Sequence, residues 1–142
     1  MGFLFTENCR LASFLAVTFP CAFLDAKCLK VPRLPLLALT PFLALTAFLT
    51  APPYFSEAAA GALAGMVSFY IARKMTLNKI GLADVWMAGC IGALGGIRLL
   101  AMATVCAMAL VLPCSPGKPI PFIPPLLVGT LYSIIIHIFL GN

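Results

Sequence analysis

Apolar residues fill six long runs in this chain, at about residues 3–24, 34–51, 58–72, 80–96, 98–113 and 122–140, and most of the charge lies in the gaps between them. A helix needs about 20 apolar residues to cross the hydrocarbon of a bilayer, and lipid offers no partner to a backbone amide or carbonyl left unbonded. The gaps carry residues that end helices. "DAKCLKVPR" holds Asp25, Lys27, Lys30, Pro32 and Arg33; "APPYFSE" holds Pro52, Pro53 and Glu57; "RKMTLNK" holds Arg73, Lys74 and Lys79; "PCSPGKPIP" holds four prolines and Lys118. The weakest gap is "GGIR" at 95–98, so the fourth and fifth runs are either two helices or one bent element. Composition identifies the solvent. Of 142 residues 63% are hydrophobic and 9% charged, where a soluble domain carries about 25% charged residues. The expectation is an all-α polytopic membrane protein, with about six transmembrane helices in one compact bundle and residues 1–142 as a single membrane-embedded domain.

The basic residues give an orientation. Seven of the nine Lys and Arg (Lys27, Lys30, Arg33, Arg73, Lys74, Lys79 and Lys118) fall after the first, third and fifth runs. With six spans these gaps share one side, and the positive-inside bias makes that side cytoplasmic. The chain is therefore expected to be a multi-pass protein of the cytoplasmic (inner) membrane, in contact with lipid and with both termini outward. Arg10 and Arg98 are the exceptions. The net charge of +5 reads as this topology signal and not as a nucleic-acid surface, since no basic stripe with interleaved aromatics is present. The first run has no basic start and no small-residue cleavage site, and is read as a span and not as a signal peptide. Cys9, Cys21, Cys28, Cys90, Cys106 and Cys114 form no CxxC pair, and His137 stands alone in "IIIHIF". No metal or other cofactor is expected from them. Gly61–Gly65 and Gly92–Gly96 have the GxxxG spacing of closely packed membrane helices.

Four acids remain: Glu7, Asp25, Glu57 and Asp84. On this topology Glu7 and Glu57 lie outside. Asp25 closes the first span and Asp84 begins the fourth, both at the cytoplasmic boundary. An ionisable group at the edge of the hydrocarbon is costly, and its default reading is functional. The other reading is that each marks a helix end, where Asp84 would be favoured by the helix dipole without any chemistry.

The residues around the two aspartates carry a resemblance. "GLADVWMAGCIGALGG" resembles the GxGD motif of the type IV prepilin peptidases, which are membrane aspartyl proteases, with Gly81, Asp84, Ala88, Gly92 and Gly95 matching. "FLDAKCLKVPR" is similar to that family's first-aspartate segment, through Asp25, Val31 and Pro32. "KPIPFIPPLLVG" is similar to its Ile-Pro-Phe-x-Pro block, through Ile120, Pro121, Phe122 and Pro124. The three segments fall in the family's order. The resemblance implies an aspartic endopeptidase with Asp25 and Asp84 catalytic and with Gly81, Ala83 and Trp86 beside the substrate. Its partner would be a prepilin-like precursor, a basic leader followed by an apolar helix, cut at the cytoplasmic face. It also implies a short form, without the cysteine-rich domain of the larger members. Three positions depart from the pattern: Ala83 stands for the second Gly of GxGD, Trp86 where a Lys is common, and Arg33 where Asn or Asp commonly follows the Pro.

Two aspartates suit peptide hydrolysis. One ionised carboxylate takes a proton from water while one protonated carboxylic acid serves the carbonyl oxygen, and two carboxylates held close share a proton instead of both ionising. Two other readings stay open. One is an inactive relative that binds pilin-like helices or an assembly partner; the other is a small transporter using the two acids as a proton relay.

Overall fold

A computed structural model of the protein describes residues 2–28, 31–50, 52–76, 80–111 and 121–140, without the side chains of residues 2–7, 50, 52, 137 and 140. Lys30, Lys79, Cys114, Lys118 and Ile120, and the side chains of Glu7 and His137, lie outside what it describes. The elements are five helices: α1 (Gly2–Cys28), α2 (Arg33–Thr50), α3 (Pro52–Met75), α4 (Leu82–Val111) and α5 (Ile123–Leu140). The apolar runs predict about six. The difference lies at "GGIR", because the fourth and fifth runs join in α4, whose backbone breaks at Gly95 (φ −138°, ψ 22°) and Gly96 (φ 70°, ψ −167°). Gly96 is in the left-handed region, which is open to a residue without Cβ.

The break reverses the chain. Straight, the 30 residues of α4 would extend about 45 Å at about 1.5 Å each. Yet Ile80, just before its start, and Met108, near its end, line one cavity with Ala72 of α3. The second arm (97–111) therefore runs back beside the first (82–94). The first arm is the centre of the fold: Val85 and the segment from Met87 to Ala93 are all buried. Its glycines let α3 approach backbone to backbone. A Cβ on Gly65 would stand 2.5 Å from the Ala88 carbonyl oxygen, and one on Gly92 would collide with the backbone of Gly61. On the other side, a Cβ on Gly129 of α5 would stand 2.5 Å from the Ala103 carbonyl oxygen of the second arm. Small residues at such contacts allow close van der Waals packing, which is what holds helices together when lipid is the competitor.

Among the described residues, three helices are long and apolar enough to cross a membrane, by length and composition: Asn8–Cys28, Pro53–Met75 and, counted through its glycine break, Leu82–Val111; Arg33–Leu49 and Ile123–Ile136 are shorter apolar helices. Large apolar side chains also face outward, among them Phe19, Phe23, Leu34, Leu49, Val105 and Phe139. A water-soluble monomer does not expose so much contiguous apolar surface. Inside, hydroxyls turn back to their own helices. Thr18 donates to the Phe14 carbonyl at 2.7 Å, Thr130 to Leu126 at 2.7 Å and Ser133 to Gly129 at 2.8 Å, which satisfies groups that lipid could not.

Arg10 explains one of the two exceptions in the charge pattern. It is buried in α1 and its guanidinium donates to the carbonyls of Ala93 at 2.9 Å and Leu94 at 3.2 Å. These carbonyls close the first arm of α4, where the glycine break removes their intrahelical partners. Arg10 thus caps a helix end within the bundle.

Candidate active site

The end of the bundle where α1 and α3 stop and α2, α4 and α5 begin gathers both predicted aspartates. Asp84 sits in the first turn of α4 and is 7% exposed. Its Oδ2 accepts the backbone N–H of Gly81 at 2.9 Å. This is the return half of a capping box, in which an acid in the first turn satisfies the amide that precedes the helix. A Cβ at position 81 would stand 3.1 Å from the same Oδ2. Any larger residue there would press the carboxylate back by a few tenths of an ångström.

Asp25 lies near the C-terminal end of α1, where a negative charge gains nothing from its own helix. Its stabilisation comes from across the fold. It is 8% exposed, and its Oδ2 accepts the backbone N–H of Ile123, the first residue of α5, at 3.1 Å. The Phe122 amide is near enough to act on the same carboxylate. The local sequence accounts for this. Pro121, Pro124 and Pro125 have no N–H to give, so Phe122 and Ile123 supply the free amides at the start of α5. The Ile-Pro-Phe-x-Pro block thus delivers backbone donors to the first aspartate. Each carboxylate is held at the N-terminus of a helix, Asp84 at its own and Asp25 at that of α5, where amides and dipole favour negative charge.

Both aspartates line one cavity of about 230 Å³, together with Val31, Arg33, Gly81, Leu82 and Ala83. They are close enough for the charge of Asp25 to act on Asp84, as does the charge of Arg73 from the last turn of α3. The cavity would hold about seven waters at about 30 Å³ each. That is room for a peptide group and a neighbouring side chain, and not for a helix.

Of the residues read as substrate contacts, Gly81 and Ala83 line the cavity and Trp86 does not. Trp86 is half-buried and packs against the apolar core. Four features of the site were not assigned from sequence: the Phe122 and Ile123 amides, the wall formed by Val31 and Leu82, the field of Arg73, and Arg33 as a cavity residue. Only the last two had a visible signal, as basic residues beside the aspartate segments.

A second, larger cavity of about 610 Å³ lies between α3, the second arm of α4 and the start of α5, with Phe69, Ile80, Leu100, Val105, Met108 and Phe122 in its wall. It lies beside the aspartate cavity: Ile80 in its wall is followed in sequence by Gly81 in the wall of the other.

A family model described as the type IV leader peptidase family matches residues 12–116. The match includes both aspartates and ends before the Ile-Pro-Phe-x-Pro block. No curated protein matches the chain, and no solved structure does.

Proposed function

The chain belongs to the type IV leader peptidase family, and from that premise we propose that it is an aspartyl endopeptidase of the cytoplasmic membrane, with Asp25 and Asp84 as its catalytic pair. One observation carries the reading: two aspartates far apart in sequence line one small cavity, each with its Oδ2 tied to a backbone amide. The ties fix both carboxylates before substrate arrives, and such preorganisation is what proton transfer in a peptidase needs.

In the proposed reaction the pair holds a single proton. The ionised aspartate takes a proton from a water in the cavity. The oxygen of that water bonds to the scissile carbonyl carbon. The protonated aspartate gives its proton to the carbonyl oxygen, so a neutral tetrahedral diol forms and the pair still holds one proton. As the C–N bond breaks, a proton from the pair reaches the leaving nitrogen. The diol returns one to the pair, leaving a new amine and a new carboxyl group. Gly81 and Ala83 form the floor on which the scissile peptide lies, and no cofactor takes part.

The substrate in this reading is a prepilin-like precursor. Its apolar helix stays in the membrane against the spans, and its leader reaches the aspartates at the cytoplasmic face. The multi-pass placement that this requires is supported by the three long apolar helices and by the basic residues at the aspartate end, Lys27, Arg33, Arg73 and Lys74. Trp86, packed against the core, acts in this reading by holding α4 in place.

Co-expression with a precursor of this kind, followed by N-terminal sequencing of the product, tests the proposal. A new N-terminus at the junction of leader and apolar helix is expected. Persistent full-length precursor that co-purifies with the protein would favour the inactive binding protein instead.

A further inference from the structure

Of the charged residues around the site, Arg33 is the one in the cavity wall whose guanidinium the proposed chemistry does not use. It opens α2, where a cation faces the positive end of the helix dipole and is disfavoured. It is the only cation in the cavity wall among the described residues, and it shares that wall with Asp25 and Asp84. The other described cations at this end have partners. Lys27 Nζ lies over the Phe23 ring at 5.9 Å and Lys74 Nζ over the Tyr70 ring at 5.6 Å. The charge of Arg73 acts on Asp84. No hydrogen bond or ion pair joins Arg33 to any of the described residues, and its side chain is exposed at the cavity mouth.

We infer that Arg33 is a specificity-determining residue that receives a carboxylate of the substrate within about two residues of the scissile bond. The inference rests on the peptidase reading and adds a charge requirement to it. The size of the cavity sets the range: with room for a peptide group and one adjacent side chain, a cation in the same wall meets a group next to the cut. The chemistry sets the kind of group. A guanidinium presents paired N–H donors that match a carboxylate in two parallel hydrogen bonds. Without Arg33 the two aspartates would repel a substrate acid at this distance; with it, an acid is accepted and a lysine meets a like charge. Such like-charge juxtaposition discriminates strongly at a desolvated site.

The test uses three synthetic precursors that share one leader and one apolar helix and differ in one residue beside the scissile bond, as Asp, Asn or Lys. Full-length wild type, Arg33→Gln and Arg33→Glu are reconstituted in vesicles of neutral phosphatidylcholine, and again with anionic phosphatidylglycerol added. Binding and cleavage are both measured. Wild type is expected to bind and cut the Asp precursor at least tenfold better than the Lys precursor, with Asn between. Arg33→Gln should level the three, and Arg33→Glu should reverse the order, in both kinds of vesicle. Equal treatment of all three precursors by wild type overturns this inference and leaves the peptidase reading standing. Charge-selective binding without any cleavage supports the role of Arg33 and overturns the peptidase reading. An effect of the Arg33 variants that needs anionic lipid and ignores precursor charge shows that Arg33 serves lipid headgroups, which also overturns the inference.

Discussion

Substitution of Gly81 by alanine isolates the geometry of Asp84 from the stability of the helix that carries it. The added methyl would stand 3.1 Å from Asp84 Oδ2, where ordinary contact begins at 3.4 Å. The carboxylate must therefore retreat by about 0.3 Å (3.4 minus 3.1), or the 2.9 Å bond from the Gly81 amide must bend. A misplacement of about 1 Å costs on the order of a hundredfold in rate, so about 0.3 Å corresponds to about fourfold, and to about tenfold if the carboxylate also turns. Stability should not fall with it. Gly96 is the described glycine with positive φ, so position 81 accepts alanine without backbone strain. The lower entropy of the unfolded chain contributes about 0.4–1 kcal/mol in the other direction. Gly65→Ala is the contrast, because its Cβ would stand 2.5 Å from a backbone oxygen of α4, and overpacking of that kind costs about 1–3 kcal/mol. Both variants would be reconstituted with a precursor, and the ratio of mature to precursor read beside the thermal midpoint. Gly81→Ala should lose about fourfold to tenfold in rate at an unchanged or higher midpoint, whereas Gly65→Ala should lose both together. A Gly81→Ala enzyme that cuts at the wild-type rate would show that the position of Asp84 Oδ2 does not govern the reaction.

Three further perturbations follow from the packing. Trp86→Ala should lower the midpoint, with a loss of about 1–3 kcal/mol for a half-buried aromatic, while the surviving enzyme keeps its precursor preference; a changed preference at unchanged stability would return Trp86 to the substrate side. Arg10→Met should leave the Ala93 and Leu94 carbonyls without these donors, at about 1–3 kcal/mol each, and should reduce accumulation without altering the rate per folded molecule; normal accumulation would refute the capping role. In a cysteine-free background, Lys74→Cys should react with a membrane-impermeant thiol reagent only from the cytoplasmic side and Ser56→Cys only from outside, since they lie at opposite ends of α3; labelling of both from one side would break the proposed orientation.

The apolar runs alone reveal an all-helical membrane chain, because lipid permits so few alternatives for an apolar backbone. The glycines also carry their meaning openly: Gly61, Gly65 and Gly92 have the spacing of a packed interface and form one. The helix count was not legible. "GGIR" fits a bend or a full reversal equally, and only the φ of Gly96 and the cavity that Met108 shares with Ile80 distinguish them. Asp25 and Asp84 stood out as acids in an apolar chain, and the cavity contains both. What fixes them was hidden, since backbone amides have no letter in a sequence, and the prolines at 121, 124 and 125 hint at them only by lacking an N–H of their own. Trp86 packs against the core and is not in the cavity wall, and nothing in its nearness to Asp84 in sequence distinguishes the two placements. Arg10 read as an exception to a charge rule because its partners are carbonyls far along the chain.

The central claim is that Asp25 and Asp84 act as one proton-sharing pair. The most direct measurement is precursor cleavage by Asp25→Asn, Asp84→Asn and the double variant, at matched amounts of inserted enzyme. The amide is the right probe for this site because its oxygen can still accept the Ile123 or the Gly81 N–H, so both helix ends keep their caps while the acid–base function is removed. Positioned acid–base groups contribute about a hundredfold to ten-thousandfold, and residues that work as a unit are non-additive. Each single variant should therefore lose at least about a hundredfold, and the double variant should be no worse than either. Glu57→Gln, near the end of α3 away from the aspartates, should cut normally. Wild-type processing by either Asn variant would contradict the account.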